Sequence, residues 1–171
     1  VCKSCLSIAD LYPFLDRQIL LVAAMFHDLG KAWELEGFLS REYSDQGRLL
    51  GHIFITLNIL ENFFARVKDL DQGLVLHLKH LIISHHGQYE FGSPKRPKTL
   101  EAMALHFADI LDAKLNTMHL VLEQLDDDTK WSSFQRTLER PLFKAQITPV
   151  NKQNKPEKKA KEQQCLLPLK E

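Results

Sequence analysis

Apolar residues recur at three- and four-residue spacing in successive blocks of this chain, each bounded by residues that start or stop helices. The first block carries Val1, Cys5, Ile8, Ala9 and Tyr12 on one stripe and stops at Pro13, whose ring cannot continue a helix. Asp16, a residue type suited to capping free amides, opens the second, where Ile19, Leu20, Val22, Ala23 and Phe26 recur before Gly30 ends it. A polar connection from Ala32 to Tyr43 follows, read as a surface loop with the length to fold over a site as a lid. Ser44-Asp45 opens a helix with Leu49, Ile53, Thr56, Leu57, Leu60 and Phe64 on its buried face. Asp69 or Asp71 caps the next, where Leu74, Val75, Leu78, Leu81 and Ile82 face inward. A loop holding glycines and prolines runs from Gly87 to Lys98. Thr99 then starts a long helix with Leu105, Ala108, Leu111, Leu115 and Met118 on its core face.

The pattern predicts an all-α bundle of about five or more helices. It weakens after Asp126-Asp127-Asp128, where Trp131, Phe134, Leu138, Leu142 and Phe143 mark one last short element. From Pro149 the chain is rich in Lys, Gln and Glu without periodicity, the composition of a flexible tail. Residues 1–145 therefore read as one domain and 146–171 as a flexible Lys-rich tail. The first block begins in mid-helix without a cap and Val1 is not a methionine, so the chain reads as a piece of a longer protein.

Composition mainly excludes. The 22 Lys plus Arg balance the 22 Asp plus Glu, so bulk charge points to neither nucleic acid nor a membrane surface. No apolar run is long enough to span a bilayer and no signal-peptide pattern opens the chain, which fits a cytoplasmic protein. Cys2, Cys5 and Cys165 make no disulfide framework, and Cys2 and Cys5 read as small side chains one helical turn apart in a reducing compartment.

The informative positions are polar breaks in the apolar stripes. His27-Asp28 ends the second block, inside Met25-Phe26-His27-Asp28-Leu29-Gly30-Lys31. Burying an imidazole and a carboxylate at a helix end is costly unless something binds them. A divalent cation binds both and removes that cost. His52 falls early in the third block, His85-His86 ends the fourth, and Asp109 lies in the middle of the fifth. His77 and His80 read as packing or surface histidines. Nitrogen and oxygen donors without thiolate suit manganese first, and also iron, cobalt, zinc or magnesium. Six candidates, His27, Asp28, His52, His85, His86 and Asp109, exceed the needs of one tetrahedral ion and suit two ions close together. Asp28 is the natural bridging carboxylate, and Lys31, one turn on, reaches an anion held at the metals.

The order His-Asp, His, His-His, Asp resembles the HD-domain metal-dependent phosphohydrolases, over a stretch from about Asp16 to Leu115. The run His85-His86-Gly87-Gln88-Tyr89-Glu90-Phe91-Gly92-Ser93-Pro94 is similar to the HD domain of the YhaM-type 3′-to-5′ exoribonucleases. So are Glu101-Ala102 and Ala108-Asp109-Ile110-Leu111-Asp112-Ala113. The resemblance implies an HD-domain helical bundle with a central metal site, in which Asp109 is a ligand and Asp112 orients a histidine. It also implies an RNA or nucleotide substrate and an OB-type domain upstream in the parent protein. HD domains carry a further histidine ligand on a helix before the His-Asp pair. No histidine precedes His27 here, so that ligand is expected shortly upstream of Val1.

These residues support a leading expectation, a metal-dependent phosphodiesterase that releases nucleotides from RNA at its 3′ end. Asp28 and Lys31 are the catalytic candidates. The alternatives are a phosphohydrolase of a small nucleotide or cyclic dinucleotide, and a non-catalytic module binding nucleotide or RNA. The loop after His86 walls one side of any substrate at the metals. Lys95 and Arg96 are expected to meet phosphates, while Tyr89 or Phe91 either stack on a base or pin the loop to the bundle.

Overall fold

The computed structural model describes residues 1–36 and 42–145. In order it holds α1 (Cys2–Leu11), α2 (Arg17–Phe26), α3 (Lys31–Glu34), β1 (Leu35–Glu36), β2 (Glu42–Tyr43), α4 (Asp45–Phe64), α5 (Gln72–Ser84), a 3-10 turn (Tyr89–Phe91) and α6 (Leu100–Glu123). The all-α expectation holds, with one two-stranded antiparallel ribbon that pairs Leu35 with Tyr43 and Glu36 with Glu42. The polar connection is therefore not a plain loop: its start folds as α3 and β1, and its centre, residues 37–41, lies outside the described residues. The Lys-rich tail, 146–171, lies outside them as well.

Helix starts follow local chemistry. Asp16 accepts from the amides of Gln18 and Ile19 at 2.9 and 3.0 Å. Ser44, Asp71 and Thr99 accept from Gly47, Leu74 and Ala102 at 2.9, 2.7 and 3.2 Å, each satisfying an amide that the first helical turn leaves free. Val1–Gln124 forms one compact unit, and the described residues from Leu125 onward belong to a second. In the second, antiparallel bridges join Trp131 to Phe143 and Gln135 to Arg140, and Leu138 and Leu142 are buried.

The core of the first unit gathers small and large apolar residues from α1, α2, α5 and α6, among them Cys5, Leu20, Ala23, Leu81, Leu105 and Ala108. Ile53 and Leu60 of α4 pack with Ile82 in a second cluster. Not every predicted face is buried. Leu111 and Leu115 are exposed because α6, with 24 residues, extends about 36 Å, beyond the reach of partners of 10 and 13 residues. Leu49 is 82% exposed, for a local reason. At Gly51 φ is +72° and ψ 158°, a backbone region essentially restricted to glycine, so α4 is two helical pieces and Leu49 does not share the second piece's face.

Gly30 does not act as a left-handed helix stop. Its φ is −61°, and its role is contact: a Cβ there would stand 2.1 Å from the carbonyl oxygen of His52. Its amide donates to Thr56 Oγ1 at 2.7 Å. The turn after α2 thus lies directly against α4, which brings the His27-Asp28 pair beside His52.

Candidate metal centre

Four segments deliver the site. His27 caps the C-terminus of α2, and Asp28 follows in a tight turn whose carbonyl accepts from Lys31 N at 3.0 Å. His52 begins the second piece of α4, His85 caps the C-terminus of α5 with His86 next, and Asp109 comes from the middle of α6.

The imidazoles share one hydrogen-bond arrangement. His27 Nδ1 donates to the carbonyl of Ala24 at 3.0 Å, and His85 Nδ1 to that of Ile82 at 2.6 Å. His86 Nδ1 donates to the Phe91 carbonyl at 2.9 Å, and His52 Nδ1 to Glu34 Oε1 at 3.1 Å. A carbonyl or carboxylate oxygen only accepts, so in each neutral ring the proton is on Nδ1 and Nε2 presents a lone pair.

Those lone pairs converge. Asp28 Oδ1 lies 3.5 Å from His52 Nε2 and 3.6 Å from His85 Nε2, while Asp28 Oδ2 lies 3.4 Å from His27 Nε2. Asp109 Oδ1 is 3.5 Å from His27 Nε2. His27 Nε2, His52 Nε2, His85 Nε2 and Asp28 Oδ1 are buried without a hydrogen-bond partner. Four buried acceptors facing one another are unfavourable until a cation lies among them. The ligand atoms form two groups, each within 4.8 Å: His52, His85 and His86 in one, His27, Asp28 and Asp109 in the other. Asp28 stands between them with one oxygen toward each. On this donor set and these unpartnered atoms, the residues present fit divalent metal.

Electrostatics keeps the carboxylates ionised. Burial pushes Asp28 upward, but the facing His85 ring, the hydrogen bond from Lys31 and the charges of His27 and Lys31 outweigh it and hold the carboxyl well below the usual range. Asp109 is likewise lowered, as His27 overcomes its burial. Burial opposes a charge on His27, yet Asp109 and Asp28 raise it above its ordinary 6.5. Burial and His85 together lower His86, which favours its neutral form.

The other predicted residues fall around this cluster. Lys31 Nζ is 2.7 Å from Asp28 Oδ2 and half exposed, at the rim. Tyr89, Lys95 and Arg96 are exposed on the loop after His86, with the Arg96 guanidinium 5.2 Å from the Tyr89 ring centre. Tyr89 and Phe91 do not pin that loop, being 56% and 63% exposed. Buried Ser93 does, donating from Oγ to the carbonyls of Lys95 and Ile83 at 2.7 and 3.2 Å. Among the described residues Asp112 meets no histidine, and its carboxylate accepts from Asn116 at 3.3 Å.

Sequence reasoning missed two supports. Glu34 Oε1 accepts from both the backbone amide and Nδ1 of His52, at 3.0 and 3.1 Å, so one oxygen caps the second piece of α4 and orients the ligand. Nothing in a polar connection marks one glutamate as special. His106 Nδ1 donates to the His85 carbonyl at 2.8 Å and steadies the His-His turn. Its signal was present: a histidine on an apolar face, one turn before Asp109.

The HD domain profile matches residues 1–114. The chain belongs to the HD domain family. Its HD region is 50% identical over 119 residues to the 3′-5′ exoribonuclease YhaM of Bacillus subtilis (strain 168), covering 70% of this chain and 38% of that protein. The YhaM exoribonucleases of Bacillus licheniformis and Shouchella clausii are 49% and 45% identical over the same length, covering 70% of this chain and 38% and 37% of their own. The HD domain chain thus spans well under half the length of the curated relatives it matches. Among solved structures none matches it.

Proposed function

We propose that this chain is the HD catalytic part of a metal-dependent phosphodiesterase that removes nucleotides from the 3′ end of RNA. The observation that carries the proposal is the convergence of four buried, unpartnered ligand atoms from separate segments. His27, Asp28 and Asp109 would hold one divalent ion and His52, His85 and His86 a second, with Asp28 Oδ1 also facing His52 and His85. Manganese suits this mixture of imidazole and carboxylate best, with iron, cobalt, zinc or magnesium as other occupants. Such ions, when bound, activate water and neutralise the charge that grows on phosphoryl oxygens.

The chain's own groups do the rest. The backbone carbonyls and Glu34 that fix each Nδ1 keep the rings aimed before substrate arrives. Lys31, at the rim beside Asp28, holds a phosphoryl oxygen in place. Lys95, Arg96 and Tyr89 engage the strand beyond the reacting phosphate, where the Arg96–Tyr89 pair offers an exposed cation over an aromatic face. Likeness to the YhaM exoribonucleases supports RNA over a free nucleotide. Gripping the strand falls to an OB-type domain upstream in the parent protein, and a cytoplasmic location goes with this reading.

The test is hydrolysis of 5′-labelled RNA by the parent protein with manganese. A ladder shortening from the 3′ end with release of mononucleotides is the expected result. Hydrolysis of nucleoside triphosphates or cyclic dinucleotides with RNA left intact would make it a small-nucleotide phosphohydrolase instead. Absence of divalent metal uptake would remove the basis of both.

A further inference from the structure

Beside the centre lies a second feature that neither the ligands nor Lys31 explain. A cleft of about 630 Å³ is lined by Leu50, Phe54, Phe91 and Pro94 together with His52 and His86. That volume is within the range of roughly 300–1,000 Å³ usual for small-ligand sites. Leu50, Phe54 and Phe91 are 46%, 50% and 63% exposed, so large apolar surface faces solvent here. The loop that presents Phe91 is held by Ser93 and by the His86–Phe91 carbonyl bond, so the ring's position does not depend on burying it. The Gly51 break lies in the same wall, where α4 changes direction just before His52.

Resting on the phosphodiester reading above, we infer that this cleft is a nucleobase subsite, taking the base of the nucleotide whose phosphate sits at the metal centre. The two histidines in its lining also belong to a candidate ligand group, which puts the cleft within reach of a group one sugar away from a phosphate held there. A flat heterocycle is the part of a nucleotide that an apolar wall with an aromatic ring and a proline holds well. The subsite also reads no sequence. Its two polar side chains, His52 and His86, have Nδ1 committed to Glu34 and to the Phe91 carbonyl and Nε2 to the centre. That leaves no side-chain donor or acceptor among the lining residues for a base edge. Tyr89, Lys95 and Arg96 are outside this lining and serve the strand elsewhere.

The experiment is calorimetric titration of the manganese-loaded chain with adenosine 5′-monophosphate and with ribose 5-phosphate. The mononucleotide is expected to bind at least about fivefold tighter, the value of one stacked base at the low end. Cytidine, guanosine and uridine monophosphates should fall within about threefold of it. Phe91→Ala should bring adenosine monophosphate down to the level of ribose 5-phosphate and leave the latter unchanged. Phe91→Trp should keep the preference, and circular dichroism and metal content should not move in either variant. Equal binding of both ligands to the unaltered chain overturns the subsite and leaves the phosphate reading intact. A preference that survives Phe91→Ala places the base elsewhere and overturns it too. A strong bias for one base overturns the claim that no edge is read. Failure of every ligand to bind overturns the phosphate reading and the subsite together.

Discussion

Two polar clusters sit inside the same bundle, and they differ in one respect. In the first, His77 Nε2 lies 3.0 Å from Thr99 Oγ1 and 3.3 Å from Glu101 Oε2, while Glu101 Oε1 accepts from the Asp16 amide at 2.9 Å. Nearby, His80 Nε2 accepts from the Lys98 amide at 2.9 Å. Each of these groups finds its partner within the protein, and the cluster ties α2, α5 and α6 together. In the second cluster the same side-chain types satisfy only their outer atoms, and four inner ones have no partner. Residue type does not separate the two. What separates them is whether the hydrogen-bond account closes inside the chain, since a buried acceptor without a partner is tolerated only where a ligand completes it.

The largest expected difference is catalytic. Asp28→Ala removes the carboxylate that faces His27, His52 and His85 and should lower RNA hydrolysis by the parent protein on the order of 10³-fold or more, with helix content intact. His77→Ala should leave turnover within about twofold, and a matched loss in both variants would mean that the two clusters serve the same role.

Next comes stability with metal. Manganese at 100 times its dissociation constant should raise unfolding free energy by about 2.7 kcal/mol in the unaltered chain and in His77→Ala, but much less in His85→Ala. Without metal both variants are expected to lose stability: His77→Ala about 1–2 kcal/mol, because buried Glu101 loses a partner, and His85→Ala as well, because the fully buried ring leaves a cavity and an unpaired Ile82 carbonyl. Thermal melts with and without chelator check both halves.

A smaller effect is expected one step out from the ligands. Glu34→Gln keeps bulk and keeps every ligand, yet weakens the acceptor that fixes His52 and caps its helix. Manganese affinity should fall about 10- to 100-fold, as read by titration calorimetry, with little change in the metal-free melting temperature.

The smallest effect is with pH. His27 is raised above 6.5, so its ion pairing with Asp109 and Asp28 stabilises the metal-free chain fully below 6.5 and is lost as pH rises through the folded value. Manganese needs the same lone pair, so its affinity climbs over that window. Stability of the metal-loaded chain should therefore rise with pH from about 6.5 upward while that of the chelated chain falls. Asp28 and Asp109 are lowered and contribute nothing to this slope, because their stabilisation is lost only as pH falls from 3.8 through their folded values.

Much of this protein follows from its sequence by itself. The caps at Asp16, Ser44, Asp71 and Thr99 act on amides two or three residues away, so neighbours along the chain settle them. The ligand candidates were legible for a related reason: His27, Asp28, His52, His85, His86 and Asp109 each interrupt an apolar stripe, and such an interruption is visible in one helix alone. What Gly30, Glu34 and Phe91 do was decided only in three dimensions. Gly30 meets Thr56 across 26 residues and Glu34 meets His52 across 18, and neither contact has a spacing that a helix or turn imposes. Along the chain Phe91 reads either as a stacking surface or as a pin for its loop, and the structure, where buried Ser93 anchors the loop, leaves the ring exposed beside His86. Short-range hydrogen bonds and helical periodicity depend on residues within a turn or two, whereas close backbone approach and the lining of a cleft depend on which segments the core draws together.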